Sequence, residues 1–493
     1  MHPILFVIPL PHWKLPAWIA ARFGAEYLPP AFPIYAYGVM LGLSLVVGWY
    51  ISLGLAKRDG LPREAMANNY VVTAIAAIVG ARLLYIVTNL DEFKTWKDYL
   101  SIRSGGLVAY GGFLGGFVGS WWYCTTRKVR LLAWADVAVP SLASGLMLTR
   151  LGCYMFGCDF GKRLPETTPA FLKKLGTFPE WHYDASTAKW LTPQELSAAY
   201  ANGAHPTILS GSPAWVQHTS IDATVRDLHH SLPVHPTQLY ESLVGLTMLL
   251  AIFWARRSIQ ARRQAGKPFF RGEIFLLFTF GYGALRFLLE IVRDDAERGV
   301  YGPYFEPQNG YPVALMVLAL AFWFGLSHII SEKFQTIARV IAVLVPGAVF
   351  FALKPANHFD LVEKVQLSTS QWIALLTGAM AAVYYRRGLD LAIADPEVAA
   401  DLGEGVPALL EEEAAYERGD DPGAKRDEPV KDDAAAADEE TKASPRARAD
   451  KPTVREIPAV KVDAKDALSK ADSSKADEAK DDAAKGDVPE GSA

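Results

Sequence analysis

Long apolar stretches alternate with short polar loops through the first four-fifths of the 493-residue chain. A membrane-spanning helix needs about 20 mostly apolar residues to cross roughly 30 Å of hydrocarbon, and stretches of this kind recur here. The pattern predicts an all-α polytopic membrane protein, a helical bundle of about nine spans with a small extracytoplasmic head and a disordered cytoplasmic tail. The predicted spans cover residues 34–56, 70–90, 107–123, 133–156, 239–255, 273–292, 311–329, 338–353 and 371–385.

Basic residues cluster in every second loop between these spans. Short loops rich in Lys and Arg stay on the cytoplasmic side of a membrane, so alternation predicts an outside N-terminus and a cytoplasmic C-terminus. All of the basic loops agree with this one orientation. Their basic residues are Lys57, Arg58, Arg63, Arg127, Lys128, Arg130, Arg256, Arg257, Arg262, Arg263, Lys267, Arg271, Arg386 and Arg387.

The segments outside the spans complete the predicted domain organisation. Residues 1–33 are apolar but interrupted by prolines, and they lack the basic start and cleavage site of a signal peptide, which favours an interfacial arm. Residues 391–493 are mainly Ala, Asp, Glu and Lys and cannot bury enough apolar surface to fold, which predicts the disordered tail. The other regions are spans 1–4 at 34–158, the polar head at 159–234, spans 5–6 at 235–300, an apolar hairpin at 301–366 and the last span at 367–390.

Charge and cysteine content change this picture little. The formal net charge of −4 sums a highly charged tail and an apolar membrane part. Cys124 needs no explanation beyond packing. Cys153 and Cys158, five residues apart, would lie on different faces if their helix continued, and such a pair is a weak signal for a metal or a disulfide. We therefore predict no metal, no cofactor and no nucleic-acid partner, with membrane lipids as the surroundings.

Charged residues inside apolar segments are the main functional signal. An ionised side chain at membrane depth costs roughly 2.5–3.5 kcal/mol on insertion scales, yet Arg150 ends one span. Arg286, Glu290 and Arg293, spaced by four and then three, share one face of another. Two such groups suggest an anion pocket in the bilayer. The alternatives are an internal ion-pair ladder and an Arg150 paired with an acid of a neighbouring helix.

Other motifs carry weaker signals. Arg82 lies within a span, where it either lines a polar cavity or extends to the interface. The glycine-dense segment 104–120 allows close helix packing or backbone approach to a headgroup, with Tyr110 offering its hydroxyl. Glu241, inside an apolar run, needs a cationic partner, and one of the arginines is the natural candidate. His235, Gln238 and Tyr240 precede or flank it and could form only a polar helix start.

Taken together, these blocks resemble the prolipoprotein diacylglyceryl transferases of bacteria. The resemblance covers roughly residues 30–300 and 365–388, and its strength lies in the order of several blocks. These are YAYGVM around Tyr37, GAR at 80–82, SGG…YGG at 104–112, RLGC…GCDFG at 150–161, HPTQLYES at 235–242, YGALRFLLEIVRDDAERG at 282–299 and LSTSQ at 367–371.

The resemblance implies an enzyme of the bacterial inner membrane. Family members transfer the sn-1,2-diacylglyceryl group of phosphatidylglycerol to the lipobox cysteine of a prolipoprotein signal peptide, forming a thioether and releasing glycerol-1-phosphate. Arg150 would bind the lipid phosphate, while Arg286, with Glu290 beside it, would stabilise the leaving phosphate. The catalytic residues implied are Arg150, Arg286, Glu290 and Tyr110, and the substrate-binding residues are Arg150, Tyr37, Arg82, Gly161, His235, Gln238, Tyr240, Glu241 and Arg293.

The chain also departs from the family pattern. Tyr110 stands where the family often has a histidine that is the favoured base, so either an arginine activates Tyr110 or the thiol proton goes elsewhere, for example to Glu290. Thr149 replaces a glycine, and the hairpin 301–366 is an insertion. Two other functions therefore stay open: a catalytically silent relative that binds phosphatidylglycerol or prolipoprotein, and a secondary transporter.

Overall fold

A computed structural model gives the architecture. It describes residues 3–418 except 12, 15, 19–30, 94–98, 100–105, 107, 185–188, 193, 196–197, 199–200, 202–207, 295–298 and 355–363. The tail beyond residue 418, residues 1–2, 12, 15 and 19–30 of the predicted N-terminal arm, and Ser104 of the SGG block lie outside the described residues.

Helices dominate the described part of the chain, as predicted. Seven of them are long and apolar enough to cross a membrane. The remaining two predicted spans coincide with α3 and α11, which do not meet those limits, so the count of nine stays a prediction. The helices are α1 Ala36–Asp59, α2 Arg63–Thr88, α3 Ala109–Thr126, α4 Leu131–Phe156, α5 Ala170–Leu175, α6 Pro213–Ile221, α7 Thr237–Gln264, α8 Glu273–Val292, α9 Pro307–Ala321, α10 Glu332–Ala352, α11 Thr369–Ala394, α12 Pro396–Ala400 and α13 Val406–Glu417.

Short antiparallel sheets connect these helices. Strands β1 and β2 pair before α1, β3 lies between β4 and β5 in the head, and β6 pairs with β7 beside the start of α11. A π-helical turn at Phe322–Leu326 continues α9 towards α10. The strands are β1 Ile4–Pro9, β2 Ala31–Tyr35, β3 His182–Asp184, β4 Lys189–Leu191, β5 Ile208–Ser210, β6 Val300–Phe305 and β7 Val365–Ser368.

The glycine-dense segment packs α3 against α2. A Cβ at Gly111 would lie 2.6 Å from Cβ of Leu84, and one at Gly115 would lie 2.9 Å from Cα of Gly80. No real side chain tolerates such distances, so these glycines are required for the close approach of the two backbones. The packing interpretation is therefore confirmed for them, while Tyr110 has a separate contact described below.

The prediction that disorder begins at residue 391 is wrong. Helix α11 continues to Ala394, and α12 and α13 follow it. Val406 is buried in a cluster with Leu61 and Trp134, and Asp401 forms a 2.9 Å ion pair with Arg130. A few contacts with the loops between α1 and α2 and between α3 and α4 order this part of the chain although its composition is polar.

Candidate anion site at the outer ends of α4, α7 and α8

The site lies where α4 ends and α7 begins, next to the head (residues 159–234); we call this the outer end of the bundle. The backbones of α4 and α7 approach each other closely here. A Cβ atom at Gly245 would lie only 2.9 Å from the carbonyl oxygen of Ala143, so glycine is needed at this position. Ser242 donates a 2.8 Å hydrogen bond to the carbonyl of Met147. One turn further along, this approach puts Glu241 of α7 beside Arg150 of α4.

Glu241 joins the two arginines that the sequence singled out. Its Oε2 pairs with Nε of Arg150, and its Oε1 accepts from Nη1 of Arg286. The Glu241 side chain is only 4 % exposed. Arg150 and Arg286 therefore belong to one buried charge cluster, and the predicted need of Glu241 for a cationic partner is met twice.

Asp159 is a second shared carboxylate, and the sequence analysis did not assign it. Its Oδ2 pairs with Nη1 of Arg150, and its Oδ1 pairs with Nη2 of Arg293. Burial alone would raise the pKa of Asp159, but the guanidinium groups of Arg150 and Arg293 outweigh it and hold the pKa below its usual range. Asp159 therefore stays ionised at neutral pH.

Arg286 and Glu290 form the deep part of the cluster. Their i,i+4 spacing on α8 gives an Nη2 to Oε2 distance of 3.0 Å. Their side chains are 10 % and 1 % exposed, against 19 % for Arg150 and 23 % for Asp159. The cluster thus opens on the side of Arg150 and closes at Glu290. The two alternatives, an internal ion-pair ladder and an Arg150 paired with an acid of a neighbouring helix, are both partly correct. Arg286 pairs with Glu290 on its own helix, and Arg150 pairs with Glu241 of α7.

The first turn of α7 holds the backbone that carries Asp159. Gln238 donates its side-chain amide to the carbonyl of Cys158, and Thr237 donates its hydroxyl to the carbonyl of Asp159. Asp159 itself has φ 56°, a left-handed conformation that Asp tolerates better than most residues. The polar residues of HPTQLYES therefore fix the loop after α4 as well as beginning a helix.

Backbone contacts of Gly161 and His235 fix the position of the loop that follows α4. The amide of Gly161 donates 2.9 Å to the carbonyl of His235, and a Cβ at Gly161 would lie 2.6 Å from the carbonyl oxygen of Val292. Gly161 also forms a backbone bridge with Arg293. Only glycine fits here, and its role in the described structure is to bring Arg293 against Asp159.

Tyr110 reaches the cluster through a residue that the sequence analysis did not assign. Its hydroxyl lies 2.7 Å from Oγ of Ser370, and Nη2 of Arg286 donates to the same Oγ at 3.4 Å. Ser370 is in the first turn of α11. Ser368 caps that turn, and the side chain of Gln371 accepts from the amide of Ser368 at 2.9 Å, a capping box that accounts for the LSTSQ block.

Of the other predicted site residues, Tyr37, His235 and Tyr240 lie near the cluster, whereas Arg82 lies apart from it. Tyr37 packs across Gly152, where a Cβ would be 2.9 Å from the Tyr37 Cα, and so it faces the turn that carries Arg150. Tyr240 lies 3.3 Å from Nδ1 of His235 through its hydroxyl. Arg82 forms a separate cluster: it donates to the carbonyl of Gly106 at 3.1 Å and its guanidinium lies over Phe93.

The fold and the site together define a class of protein. It is a multi-pass membrane protein in which Arg150, Arg286 and Arg293 share the carboxylates of Asp159 and Glu241 at the outer end of the bundle. Guanidinium groups in that arrangement suit an anionic lipid headgroup.

The chain belongs to the prolipoprotein diacylglyceryl transferase family. The model of that family matches residues 25–385. A phosphatidylglycerol–prolipoprotein diacylglyceryl transferase of Clostridium tetani is 24 % identical over 267 residues, which cover 54 % of this chain and 84 % of the relative. Relatives with the same name from Bacillus cereus and Bacillus anthracis are 25 % identical over 269 residues, covering 54 % of this chain and 78 % of each relative. The chain is thus a membrane transferase.

Proposed function

We propose that this transferase moves the sn-1,2-diacylglyceryl group of phosphatidylglycerol to the lipobox cysteine thiol of prolipoprotein signal peptides. A thioether forms and glycerol-1-phosphate leaves. One observation carries the proposal: Glu241 links Arg150 and Arg286 in one buried cluster near the ends of membrane-spanning helices. Charged groups inside a bundle of membrane helices are costly and often mark a substrate site.

Arg150 is the residue that first meets the lipid phosphate. It is the more exposed of the two arginines on Glu241. Its Nε pairs with Glu241 and its Nη1 with Asp159, so the guanidinium plane is held fixed before the phosphate arrives. A preoriented guanidinium loses little entropy when it binds an oxyanion.

Arg286 acts on the charge that develops during transfer. The sulfur of the acceptor cysteine attacks the glyceryl carbon, the C–O bond breaks, and its electron pair moves to the phosphate oxygen. Arg286 is held by Glu241 and Glu290, so its orientation is set before the reaction. Such preorganised donors are often the largest single contribution to catalysis.

The thiol proton goes to Tyr110 in this proposal. Tyr110 is linked to Arg286 through Ser370, so its hydroxyl oxygen lies near the residue proposed to act on the leaving phosphate. Glu290, the alternative base, is 1 % exposed and already paired with Arg286, which leaves it little access to an incoming thiol. Tyr37, His235, Gln238, Tyr240 and Gly161 then shape the chamber that receives the lipid and the signal peptide.

We assign the protein to the bacterial inner membrane, with the N-terminus outside and the C-terminus in the cytoplasm. Lys57 and Arg58 lie in the last turn of α1, Arg63 is the first residue of α2, and Arg127, Lys128 and Arg130 lie between α3 and α4; the positive-inside rule puts this end of the bundle in the cytoplasm. The outer end and the head then face the compartment in which prolipoproteins emerge.

The test uses the purified full chain with phosphatidylglycerol and a lipobox peptide in mixed micelles. The expected result is a diacylglyceryl mass increase on the peptide cysteine with equimolar release of glycerol-1-phosphate. Binding of phosphatidylglycerol without release would identify a silent binding relative, an outcome that the replacement of the usual histidine by Tyr110 makes worth testing. Neither binding nor product from folded protein would refute the proposal.

A further inference from the structure

Two thiols that the transfer mechanism does not use lie beside the anion site. Cys153 is in the last turn of α4 and Cys158 follows the end of that helix. Both are free, and Cys158 is the more exposed of the two. Their sulfur atoms and a carboxylate oxygen of Asp159 all lie within 4.8 Å of one another.

The end of α4 explains why thiols five residues apart meet. Gly157 has φ 86° and donates a 2.8 Å hydrogen bond to the carbonyl of Cys153. This left-handed cap turns the chain back over the last helical turn, so the second residue after the helix contacts the third residue before its end. The expectation that Cys153 and Cys158 lie on different faces applied only to a continued helix, and α4 stops at Phe156.

The surroundings do not suit a metal ion. Asp159, the third group of the cluster, is already paired with Arg150 and Arg293, and these cations repel another one. Structural zinc sites use four ligands, whereas only three such groups converge here among the described residues. Nη1 of Arg150 also lies 3.9 Å from the sulfur of Cys153, and a neighbouring cation favours the reactive thiolate form of a cysteine.

We propose that Cys153 and Cys158 are a disulfide-forming pair, oxidised by exchange with an external disulfide. The thiolate of Cys153, which lies beside Arg150, attacks one sulfur of that disulfide, forming a mixed disulfide and releasing one thiol. The sulfur of Cys158 then attacks Cys153, releasing the second thiol and forming the internal bond. Two protein thiols are oxidised and one external disulfide is reduced to two thiols.

Closing the pair alters the anion site. The bonded sulfurs lie about 2 Å apart, so the segment that leads to Asp159 is drawn towards α4, and Cys153 loses the charge that its thiolate offers Arg150. Turnover of the oxidised protein falls by on the order of tenfold, because small displacements of binding groups are costly in rate. This regulatory step rests on the proposed function. In the proposed orientation the pair faces outside the cytoplasm, where disulfides persist.

The experiment counts thiols and needs no lipid substrate. The purified full chain is incubated with oxidised glutathione, unfolded, alkylated with a maleimide and analysed by mass spectrometry, with a parallel sample reduced first. Cys124→Ser is the matched control, because Cys124 is buried at the other end of the bundle beside Asn69. The wild type and Cys124→Ser should each lose two reactive thiols and yield a peptide lighter by two hydrogens, both reversed by reductant.

The single variants supply the contrast. Cys158→Ser should keep a stable glutathione adduct on Cys153, and Cys153→Ser should form no internal bond. The proposal is overturned if every thiol of the oxidised wild type still reacts, or if a chelator rather than a reductant releases protected thiols. An unchanged transfer rate after complete closure would overturn the regulatory step, and because the thiol count is independent of transfer, that result is distinguishable from failure of the proposed function.

Discussion

Helices α7 and α8 take part in buried ion pairs at both of their ends. The two ends differ in how many arginines each acid binds. At the inner end, near the basic loops, Arg256 of α7 binds both carboxylate oxygens of Asp59 at 2.7 Å. Arg262 of α7 pairs there with Glu273 of α8, which also accepts 2.8 Å from the hydroxyl of Tyr385. Each of these acids holds one arginine and thereby ties two parts of the bundle together.

At the outer end each shared acid holds two arginines. Glu241 lies between Arg150 and Arg286, and Asp159 lies between Arg150 and Arg293. A carboxylate divided between two guanidinium groups leaves both of them able to accept a further anion. Buried charge alone therefore does not identify a ligand site in this protein, whereas the sharing of carboxylates does.

Removing one arginine from each end should separate the two roles most strongly. Arg150→Gln should lower kcat/KM by about 10²–10³-fold, the usual cost of losing a preorganised donor to a developing oxyanion. Arg256→Gln should lower the melting temperature and change kcat/KM little. Mass spectrometry of the lipobox peptide gives the rate, and thermal unfolding checks that each variant is folded. Equal losses of activity in the two variants would contradict the comparison.

Removing one acid from each end tests the sharing itself. Asp59→Asn leaves the Arg256 guanidinium group without this carboxylate, which should cost about 3–5 kcal/mol of stability. Glu241→Gln removes one of two carboxylate partners from both Arg150 and Arg286 and should also lower the melting temperature. Added phosphatidylglycerol should restore part of the melting temperature of Glu241→Gln, because its phosphate replaces the lost charge between two arginines. The lipid should not restore the melting temperature of Asp59→Asn. Thermal unfolding of both variants, measured with and without the lipid, tests this prediction. If the lipid raises the melting temperature of neither variant, or of both equally, the proposed difference between the two ends is refuted.

Local patterns predicted the helices and the charges but not how the charges combine. The spacing of Arg286 and Glu290 gave their contact, and the burial of Glu241 gave its need for a cation. Asp159 was missed because it follows the break of α4, where helical spacing no longer applies and a left-handed backbone angle sets its direction. Ser370 was missed because it meets Tyr110 across 260 residues of sequence, a contact that only tertiary packing creates.

The predicted disordered tail shows a second limit of prediction from sequence, because here local composition missed helices that are formed. Its composition predicts disorder from residue 391, yet α12 and α13 are formed. The amide of Arg63 donates 2.8 Å to Glu413, and Val406 is buried against the loops at the inner end. Composition averages over a segment, whereas a few well-placed contacts decide whether its first part folds.

Tyr110 joins the outer cluster only through Ser370, so its effect should be smaller than that of Arg150. Tyr110→Phe should lower the transfer rate by on the order of ten- to a hundredfold if the phenol accepts the thiol proton. Tyr110→His should retain more activity than Tyr110→Phe, because an imidazole titrates near neutral pH. Ser370→Ala should fall between the wild type and Tyr110→Phe. Full activity in Tyr110→Phe would assign the base elsewhere, with Glu290 the next residue to test.

The smallest expected effect is a pH dependence of the head that covers the outer end. Burial, with help from Arg163, lowers the pKa of His218, and its Nδ1 accepts a 3.1 Å hydrogen bond from the amide of Leu232, which only the unprotonated ring can do. Because the folded-state pKa is below the unfolded one, this contribution to stability is present above pH 6.5 and is lost as pH falls through the folded-state pKa. Acidification below pH 6.5 should lower the melting temperature by a few degrees, followed through the fluorescence of the tryptophans around His218. His218→Gln should remove that part of the slope, and a slope unchanged by the substitution would show that other groups cause it.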